Sequence, residues 1–588
     1  MLLPLLLLSA LRRGEAVQLE KIVCPVECQC YDQSSLLAVE CRRGGLTDWT
    51  LESLLRRIPS NAQIIKIVGA SRRPNNFSVT LNFVRFKQLQ QLHLVNCGLR
   101  SLGKRVFADL KFLQLLNVER NRINYLSAET FERSGQIRSL NMASNQLGAN
   151  PLPTGAFAYL KRLQFLSLAH NNITSLSRNL FGGLLELDTL VMDGNGLTSE
   201  DVRSLLGDAP RLRKLELNNC RLKTLSADTF DGGPLLQSLG LAFNRLSKQG
   251  LRDVSLAFHR LKHLRTLNLA GNGLTLVDSN VFYRMNITSL SLAHNALGAC
   301  YSPDIHCQHG IQPMAFSGLQ LTYLDLSFNG YRRFASETLG QAQKTVRILD
   351  LSGNPLGRIL PEQTDRMQLA SLHLAQIGLR SVPDRLPSEY DKLQFLNLSG
   401  NSINKIPPTT VRQLKSNLRQ LDISRCSFTA LPSYLYHGLI SRLHSIYLHD
   451  NPWDCHCHVN ELRTLLLQNA HRTSLLRLHR VQCASPPSVR HTPLLELHRP
   501  VGCGVLFGAS SGLTQRSEIG ILIAIVCGVL LFCALLATIS CYSRSRQRKG
   551  TYHTKENSKL SSAAESMVGS SHSHAPLAPT ASPTERLF

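Results

Sequence analysis

The chain has 588 residues, with 65 Lys and Arg against 40 Asp and Glu for a formal charge of +25, and 16 cysteines. At 43% hydrophobic and 18% charged it is neither a disordered tail nor a miniprotein held by disulfides alone, and aromatics at 6% leave a mainly aliphatic core. The length suggests three or four domains of about 150 residues each, a prior that internal repeats override.

Residues 1–10 (MLLPLLLLSA) are an apolar run. Gly14 and Ala16 supply small residues at the third and first positions before a cleavage point, so 1–16 reads as a secretory signal peptide. Cys24, Cys28, Cys30 and Cys41 cluster after it, and Cys455, Cys457, Cys483 and Cys503 cluster far downstream. Tight clusters in a secreted chain point to an oxidising compartment.

Between them one pattern recurs, L-x-x-L-x-L-x-x-N-x-L, as at Leu113, Leu116, Val118, Asn121 and Ile123. Its fourth position is Leu92, Leu116, Leu140, Leu166, Leu190, Leu215, Leu239, Leu267, Leu290, Leu324, Leu349, Leu372, Leu396, Leu421 and Ile446. Ile65 and Ile67 mark a degenerate first copy, for about 16 repeats over residues 61–453. The alternation L-x-L has the period of a strand, so each copy sends its leucines to one face. No copy buries them alone. Stacked at about 4.8 Å, the copies make a parallel sheet over a continuous core. Phe107, Phe131, Phe157, Phe181, Phe230, Phe282 and Phe316 are expected in that core.

The asparagine (Asn121, Asn145, Asn171 and their equivalents) is a structural ladder, because a turning chain leaves buried backbone groups and an amide both donates and accepts. Cys97, Cys220 and Cys426 replace it in three copies. Cys97 and Cys220 are about 24 Å apart at the strand spacing, so these thiols are expected to be buried, unpaired and inert. Ile377 replaces it in another copy, where a local weakness is expected.

On this pattern the chain resembles extracellular leucine-rich-repeat proteins. The resemblance implies an α/β-type solenoid, a curved horseshoe with a parallel inner sheet. Cys24-Pro25-Val26-Glu27-Cys28-Gln29-Cys30 with Cys41 resembles their N-terminal cap (24–60). Asn451-Pro452-Trp453-Asp454-Cys455-His456-Cys457 with Cys483 and Cys503 resembles their C-terminal cap (454–503). The pairings it implies are Cys24 with Cys30, Cys28 with Cys41, Cys455 with Cys483, and Cys457 with Cys503. Cys-His-Cys-His at 455–458 also has the look of a zinc site, but a secreted chain with two further cysteines favours disulfides. Cys300 and Cys307 lie in the long interval between Leu290 and Leu324. They are expected to close a protruding loop, either a tolerated insertion or part of a partner contact.

There is no phosphate-cradling glycine loop, no G-x-S-x-G and no His-Glu-x-x-His, so no catalytic, metal or cofactor site is expected. The outward strand positions, among them His93, Glu119, Asp193, Glu216, Asp325, His373 and His449, read as mixed and mildly polar. They make either a solvated face or a protein-docking surface anchored by Phe243, Phe328 and Tyr447. Sequons stand at Asn76, Asn172, Asn286 and Asn397, the last on the inner rim, where a glycan would block part of that face. Arginines and histidines crowd the C-terminal cap between His471 and Arg499. This is either a solvated basic surface or a patch for sulfated glycans or acidic proteins; nucleic acid is not the usual partner outside the cell.

After a linker at 504–518, Ile519–Ser540 carries no charge and would be about 33 Å long as a helix, enough for a hydrocarbon core of about 30 Å. A transmembrane helix is expected at 519–541. Arg544, Arg546, Arg548 and Lys549 follow it, which makes the chain a type I plasma-membrane protein with tail 542–588 inside. Gly520, Ala524 and Gly528 lie on one helix stripe, either through ordinary membrane composition or as a homodimer contact. The tail is too short for a folded enzyme. Its segment Arg548–Glu556 resembles the juxtamembrane segment of glycophorin C and, more loosely, of neurexins. That resemblance implies binding of a FERM-domain adaptor by Lys549, Gly550, Thr551, Tyr552, His553 and Thr554. The function expected is cell-surface adhesion or recognition of an extracellular protein, tethered to the membrane skeleton. The alternative is a co-receptor that presents a ligand to another signalling chain.

Overall fold

The computed structural model describes residues 24–79, 81–246, 251–298, 310–456, 459–468 and 480–497. Among them an eighteen-stranded sheet is the spine. It begins as an antiparallel hairpin, Cys28–Gln33 with Leu36–Cys41, and the second strand pairs in parallel with Ile64–Val68, then Gln91–Val95. From Leu115–Asn117 to Ser445–Tyr447, three-residue strands add in parallel, one per repeat. The register sets every repeat leucine beside the next, from Leu92 with Leu116 to Leu421 with Ile446. In most of these strands the central leucine is buried and its neighbours are half-exposed, as in Tyr323–Asp325, which is the two-residue alternation the pattern requires.

The long interval leaves the sheet undisturbed. Ser289–Ser291 pairs directly with Tyr323–Asp325, and the inserted chain returns through Gly310–Ile311, which pairs in parallel with Leu276–Val277. Cys300 and Cys307 lie outside the described residues.

Behind the sheet the phenylalanines stack repeat on repeat. Phe107, Phe131, Phe157 and Phe181 follow one another at ring separations of 6.4, 6.0 and 6.2 Å. Phe230 stacks on Phe258, which the sequence reading did not include, and Phe282 on Phe316. Where the Phe series pauses after Phe181, the helix Ser199–Asp208 buries Val202, Leu205 and Leu206 instead, its N-terminus closed by a reciprocal capping box between Thr198 and Asp201.

Each ladder asparagine ties two repeats together. Asn244 accepts from the N–H groups of Cys220 and Leu222 in the preceding repeat, and its Nδ2 donates to the carbonyls of Leu217 and Leu241. The three cysteines keep half of this role. The Cys97, Cys220 and Cys426 thiols point at the carbonyls of Ile67, Met192 and Leu398 at 3.3–3.4 Å, and burial pushes their pKa up to about 12, 11 and 11, so they are unreactive thiols. At Ile377 the expected weakness comes down to one lost acceptor, that of the Asn354 N–H. The Ile377 side chain is fully buried, and the Leu356 N–H, which an asparagine at 377 would have received, turns to the Asn354 carbonyl at 2.7 Å. The Leu351 and Leu374 carbonyls keep donors from Asn354 and Asn401.

Both ends are closed. Disulfides join Cys24 to Cys30 and Cys28 to Cys41, and Arg57 on the helix Asp48–Arg57 makes two 2.9 Å bonds to Glu27 on the hairpin side. At the other end Trp453 is wholly buried and donates to the Leu448 carbonyl. Cys455 bonds to Cys483, which removes it as a thiolate ligand for zinc. The signal peptide, the Cys457–Cys503 pair, the linker, the 519–541 segment and the tail with Lys549–Thr554 all lie outside the described residues. Among the described residues no helix is long and apolar enough to cross a membrane.

Candidate docking surface

As the chain leaves each strand, the residue just before the ladder position takes a left-handed backbone. Its N–H donates to a carbonyl of the next repeat, as from Phe243 to Ala270, His294 to Ser327 and Phe328 to Ser352. Glycine or asparagine suits this position, and Gly271, Gly353 and Asn219 occupy it elsewhere. Phe243 (φ 57°), His294 (φ 53°) and Phe328 (φ 52°) do not suit it, since a left-handed backbone costs an L side chain roughly 1–2 kcal/mol. Both phenylalanines are also exposed, at 55% and 41%.

The rings lie across the neighbouring glycines. A β-carbon on Gly271 would meet the Phe243 ring at 2.3 Å, and one on Gly353 would meet the Phe328 ring at 2.3 Å. Gly271 stands between the Phe243 and His294 repeats and gives way, so Phe243 reaches His294 (6.0 Å between rings), and His294 stacks flat on Phe328 of the next repeat (4.4 Å, 5° between planes). The residues preceding this row, Ala242, Ala270 and Ala293, form a small buried apolar cluster apart from the main core. The result is one aromatic strip spanning several repeats.

Beside it runs a row of carboxylates. Register places Ser291, Asp325, Asp350 and His373 side by side on four consecutive strands. Asp325 accepts from the Ser327 N–H and the Ser291 hydroxyl at 3.0 Å, and Asp350 accepts from the Ser352 N–H at 2.8 Å. Neither has a basic ion-pair partner among the described residues; no Lys or Arg stands on the outward strand positions from Tyr323 to Tyr447. Burial, then the neighbouring Asp325 charge, holds the Asp350 carboxyl above the ordinary range against the pull of the Ser352 hydrogen bonds and His373. The Tyr323 phenol is pushed up to about 12 by burial and by both carboxylates.

Asp350 and Asp422 join the mixed inner rim of the sequence reading. Glu119, Asp193, Glu216, Asp325, Asp350 and Asp422 face outward on a chain whose net charge is +25. Asp350 was missed, although it occupies the place of Asp325 one repeat later. His449 is buried and bonded to Asp450 rather than exposed. Tyr447 is half-buried against His449 and lies five strands from Asp325, about 24 Å away at the sheet spacing, so it does not join the phenylalanines. Asn397, on an intervening strand, faces outward with its Oδ1 accepting from the Ser399 N–H, while Asn76, Asn172 and Asn286 are exposed.

Models of the leucine-rich repeat match residues 87–147, 150–197, 260–277 and 392–414. Rat Tsukushi is 30% identical over 251 residues, covering 38% of this chain and 68% of Tsukushi. The chain belongs to the leucine-rich-repeat proteins. Another relative, the zebrafish transforming growth factor beta activator LRRC33, is 27% identical over 258 residues, 43% of this chain and 36% of that protein, so the match spans about a third of its length. Relatives of this leucine-rich-repeat chain are secreted or membrane proteins. The structure of the mouse RP105/MD-1 complex aligns over 80% of the chain and 99% of its counterpart at 18% identity, with a TM-score of 0.44.

Proposed function

We propose that this is a non-enzymatic cell-surface binding protein whose outward sheet face, from Phe243 to His373, receives an extracellular protein in a co-receptor or ligand-presenting role. The observation that carries this reading is the pair of exposed phenylalanines, 55% and 41% accessible, at a position that in other repeats holds Arg, Ser, His, Gln, Asp, Asn or Gly. Large aromatic side chains left exposed on an otherwise polar face are the side chains that anchor protein contacts. LRRC33, which by its name activates transforming growth factor beta, gives a precedent for a role directed at a secreted protein.

A screen of secreted and cell-surface ectodomains against the full chain displayed on cells tests the reading. The partner found should be lost on combined Phe243→Ser and Phe328→Ser with surface display unchanged, whereas retained binding places the contact elsewhere. Cell aggregation driven by the ectodomain, without ligand capture, favours adhesion instead. Segment 519–541 supplies the membrane anchor in this reading. The resemblance at Lys549–Thr554 supports a FERM-domain adaptor inside. Pull-down of such a domain by residues 542–588, abolished by Tyr552→Ala, is its test, and no pull-down removes the skeletal link.

A further inference from the structure

The chemistry of the strip specifies what kind of surface it would take, given the docking face proposed above. Asp325 and Asp350 stand directly opposite each other on adjacent parallel strands, one strand spacing apart. Like charges so placed repel, and among the described residues no Lys or Arg pairs with them: their hydrogen bonds come from Ser291, Ser327 and Ser352, with the His373 imidazole beside Asp350. The nearest outward lysine on the preceding strands, Lys214, is engaged by Glu216 at 3.2 Å. Three residues beyond Asp325 on the same repeat stands the Phe328 ring, 41% exposed, with His294 stacked on it and Gly353 beside it.

We propose that this face binds an arginine-presenting segment of an extracellular protein, with a guanidinium bonded to the Asp325 and Asp350 carboxylates and lying against the Phe328 ring. A guanidinium is the side-chain group that combines a planar fork of donors for carboxylates with a face that stacks on an aromatic ring. An ammonium satisfies the charge without the stacking. Charge complementarity is local here: on a chain of formal charge +25, the outward strand positions from Tyr323 to Tyr447 carry Asp325, Asp350 and Asp422 and no Lys or Arg.

The test uses the full-length chain in nanodiscs of uncharged lipid, after sialic acid removal, with labelled nonamers of arginine, lysine and glutamate as probes. The arginine nonamer should bind saturably. Combined D325N and D350N should weaken it about tenfold, since the carboxylates supply the charge-assisted bonds. Phe328→Leu, which keeps an apolar side chain, should weaken it about threefold and narrow the margin over lysine. Thermal melting of each variant distinguishes loss of a contact from loss of the fold. Binding unaffected by D325N and D350N overturns the proposal, as does equal binding of lysine and arginine. If the arginine probe fails while a protein partner is still lost on Phe243→Ser and Phe328→Ser, the docking face stands and the arginine assignment falls.

Discussion

The repeats from Leu116 to Leu190 and those from Leu239 to Leu349 have the same interior and different exteriors. Phe131, Phe157 and Phe181 stack at 6.0 and 6.2 Å in the first region, and Phe230 with Phe258 and Phe282 with Phe316 at 5.8 and 6.1 Å in the second. On the outside, Arg120, Ser144, His170 and Gly194 hold the left-handed positions of the first, and Phe243, Gly271, His294, Phe328 and Gly353 those of the second. A thin sheet separates two faces whose side chains do not touch, so the exterior varies without disturbing the core. What distinguishes the second region is therefore unnecessary for folding.

The hardest test of that separation is Phe157→Ala, which removes a fully buried ring from the middle of the stack. It should cost about 3–5 kcal/mol, read by urea or thermal unfolding of the chain. Asn244→Ala comes next. Loss of three bonds between repeats and one within its own should cost about 2–3 kcal/mol, while Ile377→Asn should change stability by less than about 1 kcal/mol, because the Leu351 and Leu374 carbonyls and the Leu356 N–H already have partners.

A smaller effect of opposite sign is expected from Phe243→Asn and Phe328→Asn. Asparagine tolerates the left-handed backbone, so melting should rise by an amount worth up to about 1 kcal/mol while partner binding falls. A loss of stability as large as that of Phe157→Ala would show that these rings hold the fold, and the distinction between the two regions would fail.

Asp350→Asn should give the smallest change, visible only against pH. A carboxyl whose folded pKa is raised lends stability that is complete below its unfolded value, near 3.8, and lost as pH rises through the folded value. Wild type should therefore lose stability relative to Asp350→Asn on going from acid to neutral pH. Carboxylates held low, such as Asp450 by His449 and Arg480, act in the opposite direction in both proteins and cancel in the difference.

Much of the architecture was legible in the chain. Fourteen aligned leucines with Ile446, the Phe series and the ladder asparagines must recur at one interval because a copy stacked about 4.8 Å from the next can bury its core only against the same residue types. The Cys24–Cys30, Cys28–Cys41 and Cys455–Cys483 bonds match the pairings implied by resemblance. Ile377 was read only in part, because the motif records which residue is missing and not which carbonyl takes over one of its partners.

The candidate site was half legible. Phe243 and Phe328 stood out as outward aromatics, yet Tyr447 looked equivalent to them, and Asp350 escaped notice beside Asp325. A repeat read one copy at a time assigns each residue to a face. Contacts along that face are set by register and by how side chains lean. Sequence periodicity alone determined the solenoid and its core, and the bonded caps followed from resemblance. Only the tertiary structure decided that left-handed backbone and the yielding Gly271 bring Phe243, His294 and Phe328 into one strip beside two carboxylates, because those contacts run across the strands, where sequence distance carries no record of them.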